Sequence, residues 1–112
     1  HPPLIYVNSK TGDISYIKSH GRIVGLIEDV RFQELEINCN KGDRFLLYTD
    51  GIHETVNSNN RMLDLEGLLE IVKEVNEPDL DKTLDKILIE VNNYKGDIPF
   101  KDDIVLMGIE II

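Results

Sequence analysis

At 112 residues the chain is the size of one modest domain or of part of a larger one. Its composition, 41% hydrophobic and 29% charged, supports a packed core under a soluble surface rather than disorder. Twelve basic residues against 21 acidic ones leave a net charge of −9, which repels phosphate backbones and anionic headgroups and argues against nucleic-acid and membrane partners. No apolar run reaches the length of a membrane span. Cys39, the single cysteine, rules out an intramolecular disulfide and points to a reducing, cytoplasmic setting.

The chain opens on His1-Pro2-Pro3 without an initiator Met and runs straight into Leu4-Ile5-Tyr6-Val7, an opening expected where preceding sequence has been removed. Leu4 to Val7 and Ile14 to Lys18 read as strands, rich in β-branched and aromatic residues. Between them, Asn8 to Asp13 has hairpin-loop chemistry, with Gly12 able to take the positive φ that closes such a loop. Ser19 to Val30, with Gly21 and Gly25, reads as an irregular loop, and the alternation over Phe32 to Asn38 as a half-exposed strand.

Lys41-Gly42-Asp43 predicts a tight turn. The continuous apolar run Phe45-Leu46-Leu47-Tyr48 then predicts a strand covered on both faces. Asn57 to Arg61 is a polar loop. Two helical stripes follow at 3.6-residue spacing: Leu65, Leu68, Leu69, Val72 and Val75, with Asp64 as N-cap, then Leu80, Leu84, Ile87, Leu88 and Val91, with Asp79 as N-cap. Gly96 and Pro99 close that region. Ile104 to Ile112 reads as a second doubly covered strand.

This order of elements gives an α+β chain, with an antiparallel sheet and two helices packed on one face. Doubly covered strands call for a further layer that 112 residues hardly supply, so residues 1–112 read as one portion of a single, larger domain.

The first doubly covered strand delivers Asp50-Gly51 at its C-terminal end, and the last begins just after Asp102-Asp103. If the two are antiparallel neighbours, roughly 4.8 Å apart, their acidic tips meet at one rim of the sheet. Carboxylates gathered there repel one another unless a cation or protons intervene, and oxygen-only ligands suit Mg²⁺ or Mn²⁺ rather than zinc or copper. By residue type alone, Asp-Gly is equally an ordinary turn dipeptide, and Asp-Asp a charged guard before an apolar strand.

The string from Lys41 to Glu54, K-G-D-R-F-L-L-Y-T-D-G-I-H-E, resembles a segment of the bacterial SpoIIE/RsbU-type phosphatases of the PPM (protein phosphatase 2C-like) class. His1-Pro2-Pro3-Leu4, Val24-Gly25-Leu26 and Asp102-Asp103-Ile104-Val105-Leu106 are similar to further motifs of that family, in the family's order. The resemblance implies part of an αββα sandwich, with Asp50 and Asp102 as ligands of Mn²⁺ or Mg²⁺ in a two-metal site. It gives Asp103 a supporting or backbone role, with its carboxylate able to substitute as a ligand, lets Gly51 permit the close turn, and makes Glu54 a brace for the loop after Asp50 rather than a direct ligand. It further implies hydrolysis of phosphoserine or phosphothreonine on proteins such as anti-anti-sigma factors, within sigma-factor partner switching and under an upstream sensor domain.

Two departures qualify that reading. Val105 stands where the family has Thr or Ser. The family's N-terminal half, with the Asp-Gly element that bridges both metals, is absent from residues 1–112, so this chain alone is expected to be inactive. A regulatory or binding module that kept the fold without catalysis is the alternative, and a plain structural fragment a third reading. Unpaired strand edges make a homo-oligomer an expected partner arrangement. His1 is read as structural, His53 as a solvated loop residue, and His20 carries no motif.

Overall fold

A computed structural model describes residues 2–17 and 39–112. The strands are β1 (Ile5–Val7), β2 (Ile14–Tyr16), β3 (Arg44–Tyr48) and β4 (Leu106–Glu110). The helices are α1 (Asp50–His53), α2 (Asp64–Val75) and α3 (Leu80–Lys95). The strand expected over Phe32 to Asn38, the Val24-Gly25-Leu26 stretch, His1 and His20 lie outside the described residues.

Among the described residues, the four strands form one antiparallel sheet in the order β2-β1-β3-β4. The β1–β2 loop closes as its residues dictate. The Asn8 amide donates to the Asp13 carbonyl at 2.9 Å and the Gly12 amide to the Asn8 carbonyl at 2.8 Å, with Gly12 at φ +79°. Central strand β3 pairs with β4 from Arg44↔Glu110 to Tyr48↔Leu106.

Period-two alternation divides the sheet into two unlike faces. Ile5, Val7, Ile14, Leu46 and Tyr48 are buried under Leu68 and Val72 of α2 and Ile87 and Val91 of α3. Each such side chain contributes roughly 1.5–3 kcal/mol by leaving water, which is why both stripes turn inward. The sheet with its helices on one face is the predicted α+β arrangement. On the opposite face Phe45 and Leu47 are only half-buried, and Met107 and Ile109 are 52% and 47% exposed. Among the described residues one layer covers one face, and the second layer expected over β3 and β4 is not among them.

Other boundaries also shift. Asp79 caps α3, its carboxylate accepting from the Lys82 amide at 3.1 Å. Asp64 lies at φ +62° and accepts from the Gly67 amide at 2.9 Å, so it acts as the predicted cap of α2 although it is counted as that helix's first residue. Asp50-Gly51, read as a turn, instead opens the short helix α1. Strand β4 is shorter than the apolar run Ile104 to Ile112, because the ladder changes character at Val105, as described below.

Arg44 and Thr83 are buried polar residues that the sequence did not anticipate. Arg44 sits on the helix-facing side of β3. Its Nε donates to Glu110 Oε1 at 2.7 Å, and its Nη1 to the Glu77 carbonyl at 2.7 Å and to Asn76 Oδ1 at 3.0 Å. Its Nη2 donates to the Pro78 carbonyl at 2.5 Å, so the guanidinium satisfies the chain where α2 gives way to α3. Fully buried Thr83 completes this corner, its hydroxyl donating to the Asp79 carbonyl at 3.0 Å and accepting from the Glu77 amide at 3.0 Å.

Candidate functional site

The chemistry-bearing residues gather where β3 ends. Tyr48, Thr49, Asp50 and Gly51, together with Asp102, Asp103 and Pro2, line one open cleft of about 420 Å³. The antiparallel register places them there: with Tyr48 opposite Leu106, the residues following β3 and those preceding β4 emerge at the same rim. The acidic tips therefore meet. Asp50, Asp102 and Asp103 are all exposed, and no Lys or Arg pairs with them among the described residues.

Gly51 makes the meeting possible. A Cβ on this residue would lie 2.6 Å from the Asp103 carbonyl oxygen, 2.9 Å from Ile104 Cδ1 and 3.2 Å from the Asp102 carbonyl oxygen. Two of these are backbone atoms that cannot swing aside, so only glycine lets the acidic segment lie across the first turn of α1.

Thr49 ties the two segments together. Its amide donates to the Val105 carbonyl at 3.1 Å, as an antiparallel ladder requires. The reciprocal bond is altered: the Val105 amide donates to Thr49 Oγ1 at 3.0 Å, and the same hydroxyl donates to the Asp103 carbonyl at 2.8 Å. The carbonyl of Thr49 accepts instead from the Ile52 amide at 3.0 Å, at the start of α1. Nothing in the sequence had marked Thr49 beyond its place in a motif. The available signal was a hydroxyl residue at a strand-to-acid junction.

The other residues divide clearly. Glu54 is exposed and outside the cleft lining, and its amide donates to the Asp50 carbonyl at 2.9 Å, so the contact it makes with Asp50 is through backbone. Its neighbour Thr55 is buried, with its hydroxyl donating to the Gly51 carbonyl at 2.9 Å. His53, read as a solvated loop residue, is corrected. One helical turn brings it back beside Asp50, its Nε2 3.9 Å from Asp50 Oδ1 and its side chain only 15% exposed. The imidazole meets the Tyr48 ring edge-on at 5.9 Å, and its Nδ1 is buried without a hydrogen-bond partner among the described residues.

Burial also shapes the tyrosines behind the cleft. It pushes the Tyr16 phenol up to about 12 and raises Tyr48 as well. Tyr16 donates to the Leu65 carbonyl, and Tyr48 Oη is buried beside it without a well-formed bond of its own among the described residues. Both stay protonated at neutral pH, so Tyr48 can hold the cleft wall but not act as a base.

The donor set at the rim, aspartate carboxylates open to solvent, suits a hard divalent cation in kind. In number it is incomplete. Among the described residues no group of three or more His, Cys, Asp and Glu side chains could hold a metal ion.

Compared with known proteins, residues 1–112 match the family described as stage II sporulation protein E (SpoIIE). Comparison with curated protein sequences gives no significant match. Among solved structures, the SiaA-PP2C domain of Pseudomonas aeruginosa is similar at a TM-score of 0.74 and 15% identity, over 98% of this chain and 43% of that one. At that identity the likeness shows the fold, a PP2C-like α+β fold, and this chain spans less than half of the structure it matches.

Proposed function

The chain belongs to the SpoIIE family, and on that premise we propose that it forms the C-terminal portion of a PPM-type phosphatase domain that hydrolyses phosphoserine or phosphothreonine on a protein substrate. The observation that carries this reading is the shared rim: Asp50 and Asp102 line one cleft, without a Lys or Arg partner among the described residues, across a glycine that permits their backbones to approach.

In this reading Asp50 and Asp102 are the chain's ligands for Mn²⁺ or Mg²⁺, and the remaining ligands come from the other portion of the domain. Bound there, the cation would supply Lewis-acid activation of a water and neutralise the phosphate. The chain's own part is to hold two carboxylates at fixed separation, with Asp103 anchored by its backbone and Tyr48 closing the wall. The half-open face of Phe45, Leu47, Met107 and Ile109 would pack against the second sheet of an αββα sandwich.

Family resemblance suggests a substrate in a sigma-factor partner-switching pathway, such as a phosphorylated anti-anti-sigma factor, with an upstream sensor domain and a cytoplasmic setting. No helix among the described residues is long and apolar enough to cross a membrane. Among the described strands β2 and β4 are the outer ones, and pairing through them with a second copy is open to test by light scattering.

Val105 favours a second reading, a module that binds the phosphoprotein without turning it over, since it puts an exposed apolar side chain where the family carries a hydroxyl. Phosphate release from a phosphoserine protein, with Mn²⁺ and the complete domain, separates the two. The phosphatase reading expects turnover that falls at least about a hundredfold in Asp50→Asn and in Asp102→Asn, and no turnover from residues 1–112 alone. A complete domain without turnover would favour the binding module. Equal rates in wild type and both variants would remove the two aspartates from the chemistry.

A further inference from the structure

Strand β3 ends and α1 begins at a single residue, Thr49, whose extended backbone (φ −93°, ψ 160°) places it at the N-cap position of that helix. A threonine there ordinarily turns its hydroxyl onto an amide of the first helical turn. Here it makes no capping bond. The hydroxyl is turned across the sheet instead, where it accepts from the Val105 amide and donates to the Asp103 carbonyl. The residue thus meets two demands at once. Its carbonyl starts the helix that carries Asp50 and Gly51, while its hydroxyl replaces that carbonyl as partner for the Val105 amide. The helix goes uncapped and the two acidic segments are pinned.

From this geometry we infer that Thr49 is a positioning residue that sets the separation between Asp50 and Asp102, and so determines cation affinity at the rim. Gly51 permits residues 102–104 to approach but cannot hold them there, because it only removes a clash. The Thr49 hydroxyl supplies the attraction. It bonds on both sides of the Asp103–Val105 stretch, fixing the backbone that carries Asp102 just upstream. Serine can make both bonds. Valine, the same shape without the oxygen, can make neither and leaves the Val105 amide and Asp103 carbonyl without their partner.

The inference rests on the metal-binding reading of Asp50 and Asp102, and its test separates the two. In the complete domain, Mn²⁺ affinity by calorimetry and exchange of the Val105 amide by hydrogen–deuterium measurements are followed in wild type, Thr49→Val, Thr49→Ser and Asp50→Ala. The expected result is a slowly exchanging Val105 amide and tight Mn²⁺ binding in wild type. Thr49→Val should give faster exchange and affinity lower by about ten- to a hundredfold, with both near wild type in Thr49→Ser. If the valine variant does not fold, Thr49→Ala replaces it, and the alanine–serine contrast carries the same expectation.

A Val105 amide that exchanges freely in the wild type would overturn the clamp without any variant. Thr49→Val with unchanged affinity, while Asp50→Ala abolishes binding, would overturn the role of Thr49 and leave the metal reading standing. Asp50→Ala that binds Mn²⁺ like wild type would overturn the metal reading, and with it the claim that Thr49 sets cation affinity.

Discussion

The two ends of β3 each present an aspartate, and the fold treats them oppositely. At the start, Asp43 is fully buried and its carboxylate accepts four hydrogen bonds. The Asn40 amide and Tyr6 hydroxyl donate to Oδ2 and the Ser9 amide and hydroxyl to Oδ1, all at 2.8 Å. At the finish, the Asp50 side chain is 58% exposed, with the imidazole Nε2 of His53 3.9 Å from its Oδ1. A carboxylate with four donors has its acceptor capacity filled and serves as a structural knot. One with its oxygens open can take a cation. The same residue type, one strand length apart, is thus assigned to architecture or chemistry by counting what already bonds to it.

That contrast can be broken most forcefully at the closed end. Arg44→Ala removes the buried guanidinium that joins Glu110 to the junction between α2 and α3, leaving a void on the helix-facing side of β3 and part-buried acceptors unpaired. A loss of about 3 kcal/mol or more in denaturant unfolding is expected, and a loss below about 1 kcal/mol would mean that the corner is not structural. Asp50→Asn should do the reverse, costing activity while changing stability by no more than about 0.5 kcal/mol. A large drop in melting temperature would show that Asp50 holds the fold and blur the comparison.

Between these lies Gly51→Ala. Its methyl would meet backbone oxygens, so a destabilisation of about 1–3 kcal/mol is expected, together with weakened Mn²⁺ binding as residues 102–103 are pushed away. Unchanged binding would separate close approach from function.

The gentlest test is pH. Hydrogen bonds from the Asn40 and Ser9 amides hold the Asp43 carboxyl well below the usual carboxylate range. Its contribution is therefore fully present above about pH 4, the unfolded value, and is lost as pH falls below that toward the folded one. Wild type should lose stability through that acid window more steeply than Asp43→Asn. Parallel acid limbs would show that the four bonds do not favour the ionised form.

Much of this was legible in the sequence, and the rest was hidden for identifiable reasons. Helical stripes and the caps at Asp64 and Asp79 were readable because periodicity and capping are local. The meeting of Asp50 with Asp102 and Asp103 was readable because two apolar runs ended and began on acids, and antiparallel pairing did the rest. By contrast, the apolar runs did not say where the second cover would come from. Composition shows that both faces of β3 and β4 are suited to burial, but not what covers them, and Met107 and Ile109 stand half-exposed.

Arg44 was unreadable because its partners lie 32 to 66 positions away. His53 was misread because Asp50-Gly51 looks like a turn, whereas as a helix it returns the imidazole to Asp50 and Tyr48. For Glu54, the motif suggested a brace without indicating that its contact with Asp50 would be made by the amide.

Asp50 and Asp102 must act on one ion for the rim to be a metal site. A double-mutant cycle on Mn²⁺ affinity in the complete domain, with Asp50→Ala, Asp102→Ala and both together, measures that sharing directly by calorimetry. Ligands of a single site should be strongly non-additive, with either substitution costing nearly as much affinity as the pair. Costs that simply add, or single variants that bind like wild type, would contradict a shared cation and leave the cleft as a gap between two strand ends.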